Sequence, residues 1–475
     1  MNIYEHYIKK SSVEKIHEES LRILEEVGVC YEDDRALEAL RKKGAKVEGN
    51  LAFLPRNLVE ESLKTTPSSF VLKNKEHRLQ LGHAGLAKFP WGLSIYKNED
   101  GVISKLTDAD LIRMYKLADS SDVLSGHINF NLYENRNWTT AQKKFGEMAM
   151  ALKYSNKPTF VSGEYDNIED FYTCIDTIKM FNGMNLDDME NNYVTMLRMN
   201  PLSPLTFDRV GIQFVLAACD RRQPVMIAPC AMPSLTGPSS IAGLLAMTNA
   251  EILGGIVLTQ VLCPGLPVLY GNTSASADLR SVLLCIGAPE TALISYATVA
   301  LGRYYDLPTR TGGALSDAKD ADFQAGAEST LMMNTTLQAG ADFTFHVCGL
   351  MGSFNVISEE KFILDEENCR ILERLEKGID FSDKKFNFDM IQKVGPRGNF
   401  LKIHTSREYR KEFYLHKVFN KEDPMVWQNK GSKSLKSIAK ELANKRVAEW
   451  TPAEITKEQE KILDKYLPEL YKKTI

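Results

Sequence analysis

The feature that most constrains the fold is a unit that repeats along most of the chain: an apolar segment, a turn of small or polar residues, and an amphipathic segment. Such units begin roughly every 30–40 residues, which is the size of a strand–helix repeat. Seven of them open near Val123, Lys157, Asn192, Gln223, Leu266, Pro308 and Asp342. With an eighth strand expected within residues 87–96, the count matches a closed barrel of eight strand–helix units.

The alternation predicts the α/β class, and within it a (β/α)8 TIM barrel with helical additions at both termini. An open, doubly wound sheet is the competing architecture. It is disfavoured because no GxGxxG motif follows a predicted strand and because the unit count approaches eight. We expect an N-terminal helical region with short strands (1–86), the barrel (87–375) and a charged C-terminal helical extension (376–475).

The net charge and the cysteine content limit the classes of binding partner and the cellular compartment that we expect for this chain. The net charge of −4 provides no general attraction for nucleic acid or an anionic membrane. The most apolar stretch, residues 241–269, is interrupted by polar side chains and predicts a buried barrel helix rather than a membrane span. The N-terminus has no apolar signal core, and the eight cysteines include no CxxC pair. We therefore expect a cytoplasmic protein with reduced thiols, and a homo-oligomer whose charged terminal helices mediate association.

Active sites of such barrels lie at the carboxyl ends of the strands, so residues at those ends are the first candidates. His346 is the only histidine in a clear barrel strand, and it could be a general base, an orienting donor or a metal ligand. The alternative is a histidine that is hydrogen-bonded inside the barrel. Arg310 could hold a carboxylate through its planar fork; its alternative is an ordinary ion pair with Asp306 or Asp317.

Further strand ends supply polar and aromatic candidates. Glu164 and Asn272 each follow a predicted strand, in loops rich in small residues that permit close approach of a ligand. Several aromatic rings also lie near predicted strand ends, and rings that surround a quaternary ammonium contribute about 0.5–2 kcal/mol each. The candidates for such a cage are Trp91, Tyr96 and Phe354, and core packing is the alternative for each of them.

Three cysteines, Cys230, Cys263 and Cys348, raise the possibility of a zinc site. Their spacing does not support it, because no close Cys–Cys or Cys–His pair has the pattern of a structural site. We predict no metal, and small buried apolar residues are the better interpretation of all three.

Several segments together resemble the trimethylamine methyltransferase superfamily. They are residues 17–29 (HEESLRILEEVGV), Leu54-Pro55 with its helix, 312–319 (GGALSDAK), 322–328 (DFQAGAE), 361–365 (KFILD) and the closing Trp450-Thr451-Pro452 segment. The resemblance spans nearly the whole chain. It implies a TIM barrel that moves a methyl group from a methylamine to the cobalt of a separate corrinoid protein.

One departure from the family pattern narrows the implied substrate. Founding members carry pyrrolysine in the barrel, whereas this chain contains only standard residues. It is similar instead to the branch that demethylates quaternary amines such as glycine betaine, proline betaine, carnitine or γ-butyrobetaine. A quaternary nitrogen already carries positive charge, so a neutral tertiary amine can leave without being protonated. For that reason we expect His346 to orient the carboxylate or the corrinoid rather than to act as a general acid.

The sequence thus leads to one hypothesis and two alternatives. The hypothesis is a corrinoid-dependent methyltransferase that acts on a quaternary amine, with no tightly bound cofactor of its own and the corrinoid supplied by a partner protein. The first alternative is a betaine-binding or sensory barrel without catalysis. The second is a zinc-dependent transfer of the methyl group to a thiol.

Overall fold

Eight short parallel strands form the centre of the molecule. The computed structural model describes residues 3–92, 94–129, 131–132, 137–160, 167–186, 193–401 and 406–467. In chain order the strands are β1 (Ala87–Lys88), β2 (His127–Ile128), β3 (Thr159–Phe160), β4 (Leu197–Met199), β5 (Val225–Ile227), β6 (Val268–Gly271), β7 (Thr309–Arg310) and β8 (Phe343–Thr344). Each predicted barrel strand therefore has a counterpart in the structure.

The pairing of these strands closes a barrel. Six of them form one parallel sheet in the order β4-β5-β6-β7-β8-β1, and β2 pairs with β3. Hydrogen bonds bridge the two remaining gaps: Ser125 N donates to Lys88 O at 2.7 Å, and Thr195 Oγ1 donates to Thr159 O at 3.2 Å. The predicted (β/α)8 TIM barrel is confirmed.

A helix follows every barrel strand. These helices are α1 (Asp108–Asp119), α2 (Thr140–Tyr154), α3 (Ile168–Phe181), α4 (Arg209–Arg221), α5 (Ile241–Leu262), α6 (Pro289–Tyr304), α7 (Phe323–Ala339) and α8 (Glu359–Glu376). Most begin at a polar cap; Thr107 and Thr139, for example, each form a reciprocal capping box with the third helical residue. These caps fix where each connection ends and the helix begins.

The long helix α5 is apolar all round because it is buried. By length and composition it is the one helix in the described ranges that could cross a membrane, but 83% of its most apolar stretch is buried inside the protein. The N-terminal helix Lys10–Arg22 packs on it, and Ser20 Oγ donates to Ala246 O at 2.9 Å. This environment is that of a core helix, as the sequence predicted.

The N-terminal region adds helices and short strands to the barrel. Its helical segments are Ile3–His6, Lys10–Arg22, Ile23–Val27, Asp34–Lys42 and Arg56–Thr65; its strands are Val29–Tyr31, Lys46–Glu48, Leu51–Phe53, Phe70–Lys73 and Arg78–Leu81. Val29–Tyr31 pairs in parallel with Thr206–Phe207, which follows β4. Hydrogen bonds to the barrel thus tie this region to a loop at the carboxyl end of a strand.

Two small sheets and the C-terminal helices complete the fold. Tyr96–Glu99, Val102–Lys105, Val356–Ile357 and Leu350–Met351 form one sheet, and Ser276–Asp278 pairs with Leu283–Cys285. The C-terminal helical segments are Asp383–Lys385, Phe388–Val394, Ser406–Glu412, Pro424–Asn429, Leu435–Glu449 and Lys457–Tyr466. Leu435–Glu449 packs on the outside of the barrel, where Arg446 Nη1 bonds Glu366 Oε2 at 2.6 Å. The domain boundaries at residues 86 and 375 stay predictions.

One buried carboxyl group links α5 to the loop after β4. Glu251 is fully buried and accepts hydrogen bonds from Leu205 N at 2.8 Å and from Ser203 Oγ at 3.0 Å. Burial outweighs these hydrogen bonds and raises the pKa of Glu251 to about 7. The folded protein therefore holds this proton more tightly than the unfolded chain does.

The raised pKa of Glu251 predicts a stability that falls as the pH rises. The protonated Glu251 contributes fully to the free energy of unfolding below the ordinary glutamate pKa of about 4.5. This contribution, on the order of 3 kcal/mol, is lost as the pH increases through about 7. Glu251→Gln should keep the acceptor for Leu205 N without titrating. We therefore expect the apparent Tm of Glu251→Gln minus that of the unaltered protein to increase between pH 5 and pH 8. The exposed Glu14→Gln is the control, and a Tm difference that is constant with pH would contradict the assignment.

Candidate active site

His346 occupies a turn in the backbone directly after β8. Its φ of 62° is in the left-handed region, where a residue with a Cβ costs energy unless its surroundings hold it. Its amide donates to Pro90 O at 2.9 Å, and its carbonyl accepts from Ala314 N at 3.0 Å. The apolar segment continues to Cys348, but this turn ends the strand at Thr344, which is why β8 is shorter than predicted.

The imidazole of His346 lies in a space that the absence of a side chain at Gly92 provides. A Cβ at Gly92 would lie 2.4 Å from Cε1 and 2.9 Å from Nδ1 of the ring. The backbone of the segment after β1 therefore lies directly against the ring, nearest to its Cε1 atom. Any larger residue at position 92 must displace the imidazole.

The electrostatic surroundings keep His346 neutral. The residue is 7% exposed, and its Nδ1 is buried and has no hydrogen-bond partner among the described residues. Burial, followed by the positive charges of Arg310 and Arg198, holds the pKa of His346 well below its ordinary value of 6.5. A neutral imidazole can orient a ligand by donating or accepting a hydrogen bond, but it carries no proton to give as an acid near pH 7.

The lowered pKa of His346 predicts that its ring does not titrate in the physiological range. The imidazolium is disfavoured in the folded protein, so the neutral form should persist from pH 8 down to below pH 6. We expect the side-chain nitrogen NMR signals of His346, assigned by loss in His346→Ala, to stay constant over that interval. Signals of the exposed His77 serve as a reference, and a midpoint near pH 6.5 for His346 would contradict the structure.

Arg310, the last residue of β7, is a buried cation beside His346. Its side chain is 3% exposed, and Nη1 donates to Asn272 O at 2.9 Å and to Thr273 Oγ1 at 2.7 Å. Its Nε is buried and has no hydrogen-bond partner in the part of the chain that the structure describes. Burial and the charge of Arg198 lower the pKa of Arg310 to about 10, so the guanidinium remains charged at neutral pH.

The ordinary ion pair offered as the alternative for Arg310 does not form. Asp317 accepts instead from the amides of Ile286 and Gly287, at 3.1 and 2.9 Å, and Asp306 lies 3.4 Å from His83 Nε2. Within the described ranges no carboxylate forms an ion pair with Arg310. A buried cation that lacks such a partner is costly in isolation, and a bound anion would offset that cost.

Four of the predicted site residues line one cavity. Asn272, Arg310, His346 and Phe354 converge at the ends of β6, β7 and β8, together with Thr273, Ser274, Thr311, Gly312 and Leu315. The Phe354 ring centroid is 5.0 Å from that of His346. The Asn272 side chain itself is used locally, because it donates to Thr248 Oγ1 at 3.3 Å and accepts from Ser274 N at 2.9 Å. The backbone carbonyl of Asn272 is the group that accepts a hydrogen bond from Arg310.

The other predicted site residues lie elsewhere. Trp91 is 1% exposed, and its ring packs on Phe362 at a centroid distance of 4.6 Å. Tyr96 lies in the hairpin that pairs with Val356, and neither ring is among the residues that line the cavity. Glu164 lies outside the described residues. Roles for these three residues stay predictions.

The structure adds residues that the sequence did not single out. Arg198 projects from β4 and is close enough to influence the charge of both Arg310 and His346. It is the only charged residue in the apolar segment 193–199, and that contrast could have revealed it. Thr273 directly follows the predicted Asn272, but its sequence position gives no sign that its hydroxyl holds a guanidinium. Nothing in the sequence marks Gly92, because its importance arises from a residue more than 250 positions away.

The three cysteines considered for zinc lie in different surroundings. Cys230 Sγ approaches Thr273 O at 3.8 Å, Cys263 Sγ is 3.4 Å from Arg222 Nη1, and Cys348 is buried beside Cys369. Burial raises the pKa of the Cys230 thiol, so it is protonated at neutral pH. In the part of the chain that the structure describes, no group of three His, Cys, Asp or Glu side chains could hold a metal ion.

These features define a (β/α)8 barrel with a small cavity beside Arg310 and His346 at the carboxyl ends of its strands. The chain belongs to the trimethylamine methyltransferase (MTTB) family, whose model matches residues 3–472. It is 37% identical to the proline betaine:corrinoid methyltransferase of Eubacterium limosum and 35% identical to the L-carnitine:corrinoid methyltransferase of the same organism. Each match covers 98% of both chains. The monomethylamine methyltransferase of Methanosarcina barkeri shares the fold, with a TM-score of 0.57 at 10% identity over 93% of this chain and 88% of the other.

Proposed function

We propose that the protein transfers a methyl group from a quaternary amine that carries a carboxylate to the Co(I) centre of a cognate corrinoid protein. The observation that carries this proposal is Arg310, a buried cation without an ion-pair partner in the described ranges, at the carboxyl end of a barrel strand. Betaines and carnitine are zwitterions with one carboxylate and one quaternary ammonium. The names of the two full-length relatives support the same substrate class.

Arg310 is suited to hold the carboxylate along one edge of its guanidinium. Its Nη1 is already engaged by Asn272 O and Thr273 Oγ1. The edge formed by Nε and Nη2 therefore remains for a bidentate contact with a carboxylate. Such a contact fixes the direction of the substrate, so that its ammonium group is held at a defined position relative to His346 and Phe354.

The reaction requires no proton from the protein. The C–N bond breaks with its electron pair on nitrogen, which leaves as a neutral tertiary amine, while the methyl carbon bonds to the cobalt of the corrinoid substrate. His346 is neutral, and its Nδ1 is unpaired within the described ranges, so it orients the substrate rather than protonating it. Phe354 contributes an apolar face beside the ammonium. The protein's contribution is thus positioning and exclusion of water.

The partners follow from this chemistry. The Co(I) corrinoid arrives on a separate protein and is a substrate of the reaction, with no cofactor bound tightly by the chain itself. Because Co(I) is strongly reducing, we place the protein in the cytoplasm, where its eight free cysteines also remain reduced. Nucleic acid and membrane have no part in the proposed reaction.

The proposal is tested by methyl transfer in vitro. Purified protein is mixed with its corrinoid partner in the Co(I) state and a panel of glycine betaine, proline betaine, carnitine, γ-butyrobetaine and trimethylamine. We expect loss of the Co(I) absorption and formation of a methylated Co(III) species with at least one quaternary amine, together with its demethylated product. Absence of transfer from every quaternary amine would overturn the proposal, and transfer from trimethylamine alone would assign a different substrate class.

A further inference from the structure

Two cysteines at the amino end of the barrel lie against each other. Cys219 is in the last turn of α4, and Cys263 directly follows α5. Cys219 Sγ approaches the carbonyl oxygen of Thr259 at 3.9 Å, and the same oxygen accepts the amide of Cys263 at 2.8 Å. The two side chains are also hydrogen-bonded to each other. Sulfur atoms in this arrangement can form a disulfide after small side-chain rotations.

An arginine that lacks a carboxylate partner faces Cys263. Arg222 Nη1 lies 3.4 Å from Cys263 Sγ, and Arg222 Nε is buried and has no hydrogen-bond partner among the described residues. The preceding Arg221 is paired with Asp176 at 3.0 Å, whereas in the same part of the chain no carboxylate forms an ion pair with Arg222. A guanidinium at this distance stabilises the thiolate form of a cysteine.

A carboxylate near the two sulfur atoms is neutralised by a different arginine. Asp220 accepts hydrogen bonds from both terminal nitrogens of Arg35, at 2.8 and 2.6 Å, so it opposes a thiolate only weakly. The hydrogen bond from Cys219, with the charge of Arg222, holds the pKa of Cys263 below that of an ordinary thiol. The same hydrogen bond, followed by burial, raises the pKa of Cys219. The pair thus combines a thiolate with a neighbouring thiol.

Four other cysteines lack this combination. Cys348 and Cys369 also hydrogen-bond each other, but neither has exposed surface, and burial raises the pKa of Cys348 well above its ordinary value. Cys30 and Cys285 are more exposed than Cys263, which is 7% exposed, yet burial raises the pKa of both thiols. Exposure alone would favour reaction at Cys30 and Cys285, whereas thiolate character favours Cys263.

We propose that Cys219 and Cys263 form a peroxide-responsive dithiol that converts reversibly to a disulfide. The Cys263 thiolate attacks one oxygen of hydrogen peroxide, the O–O bond breaks, and a sulfenic acid and hydroxide are formed. The Cys219 sulfur then attacks the sulfenic sulfur, the S–O bond breaks, and the oxygen leaves as water with the Cys219 proton. The two sulfurs together lose the two electrons that reduce the peroxide, and an external thiol such as dithiothreitol restores both cysteines.

The dithiol is separate from the pocket, and its chemistry does not depend on the proposed methyl transfer. Helices α4 and α5 end at the amino end of the barrel, whereas Arg310 and His346 lie at the carboxyl ends of the strands. The disulfide would join the ends of the two helices and protect Cys263 from oxidation beyond the reversible stage. Cys263 thereby acquires a chemical role, where the sequence indicated only a small buried apolar residue.

The test is peptide mass mapping of the full-length protein after titration with hydrogen peroxide. The protein is reduced, freed of reductant, treated with a small excess of peroxide, unfolded and alkylated with iodoacetamide. We expect the Cys219–Cys263 disulfide to form before any other cysteine is oxidised and to disappear after treatment with dithiothreitol. The Cys348–Cys369 pair is the control within the same sample, and both of its thiols should be recovered in alkylated form.

Two substitutions separate the roles of the residues. Cys219→Ser removes the second thiol, so peroxide should leave a sulfenic acid at Cys263 that dimedone labels. Arg222→Met should slow the reaction of Cys263 with peroxide at pH 7 by about tenfold, because each unit by which a thiol pKa rises above the ambient pH lowers the thiolate fraction about tenfold. Arg222→Lys keeps the charge and should retain most of the rate. Circular dichroism establishes that each variant is folded.

Other results would overturn the proposal. Oxidation of Cys30 or Cys285 while Cys219 and Cys263 remain thiols would show that exposure, not thiolate character, decides which cysteine reacts. Equal oxidation of the Cys348–Cys369 pair would show that proximity of two sulfurs is sufficient and that Arg222 has no part. A Cys219–Cys263 disulfide that forms only after the circular dichroism of the folded protein is lost would assign it to the unfolded chain.

Discussion

Replacement of Arg310 by methionine is expected to lower kcat/KM for a betaine by about 10²–10³-fold. Removing one partner of a buried charge pair costs about 2–5 kcal/mol, and each 1.4 kcal/mol corresponds to a factor of ten. Methionine has a similar length and no charge, so the loss should reflect the missing guanidinium rather than a cavity. Steady-state methyl transfer to the Co(I) corrinoid protein measures the effect. Arg310→Lys should recover only part of the activity, because an ammonium lacks the bidentate edge.

The substrate itself provides the matched control for Arg310. Tetramethylammonium carries the quaternary nitrogen but no carboxylate, so whatever low activity it shows should change little in Arg310→Met. The ratio of betaine to tetramethylammonium turnover is therefore expected to fall by about the factor lost with betaine. An equal loss on both substrates would show that Arg310 supports the pocket structurally, and the carboxylate contact would have to be assigned to another residue such as Arg198.

Gly92→Ala is expected to lower kcat/KM about as strongly as His346→Ala does. The new methyl group would lie 2.4 Å from Cε1 of the imidazole, so the ring must leave its position. Misplacing a group in an active site by about 1 Å can cost roughly 100-fold in rate. Steady-state kinetics of both single variants measure this, with thermal melting to establish that each is folded.

The double variant distinguishes displacement of the ring from general damage. In the His346→Ala background the imidazole is absent, and the methyl group at position 92 then has room. We expect Gly92→Ala to have almost no further effect there, which gives a large coupling energy between the two positions. Independent, additive losses would show that Gly92 acts through the backbone after β1 and not through His346.

The architecture was accessible from the sequence because each repeat supplies the same local signals. Apolar segments, turns of small or polar residues and a regular spacing together indicated the eight units. The strand ends were less predictable. The expected eighth strand, 87–96, would have placed Tyr96 at its end, but β1 stops at Lys88 and Tyr96 belongs to a separate hairpin. Hydrogen bonding with neighbouring strands decides such limits, and a single sequence does not contain that information.

The site was predicted to the extent that it depends on strand ends. Arg310 and His346 lie in adjacent units, so barrel topology alone brings them together. The charge environment could not be predicted in the same way. Asp317 is seven residues from Arg310 in sequence, yet it caps the amides of Ile286 and Gly287, which belong to the preceding unit. Whether a nearby carboxylate neutralises an arginine depends on such long-range contacts.

The parallel pairing of Val29–Tyr31 with Thr206–Phe207 limits how the protein can be divided. The first 86 residues look separable in sequence, but they hydrogen-bond a loop of the barrel, and Tyr31 OH donates to Gly254 O of α5 at 3.0 Å. Expressing the barrel alone would uncover that edge together with the apolar face of α5. Such surfaces promote aggregation. A shortened version of the protein should therefore retain the N-terminal region, and any truncation should be made in other parts of the chain.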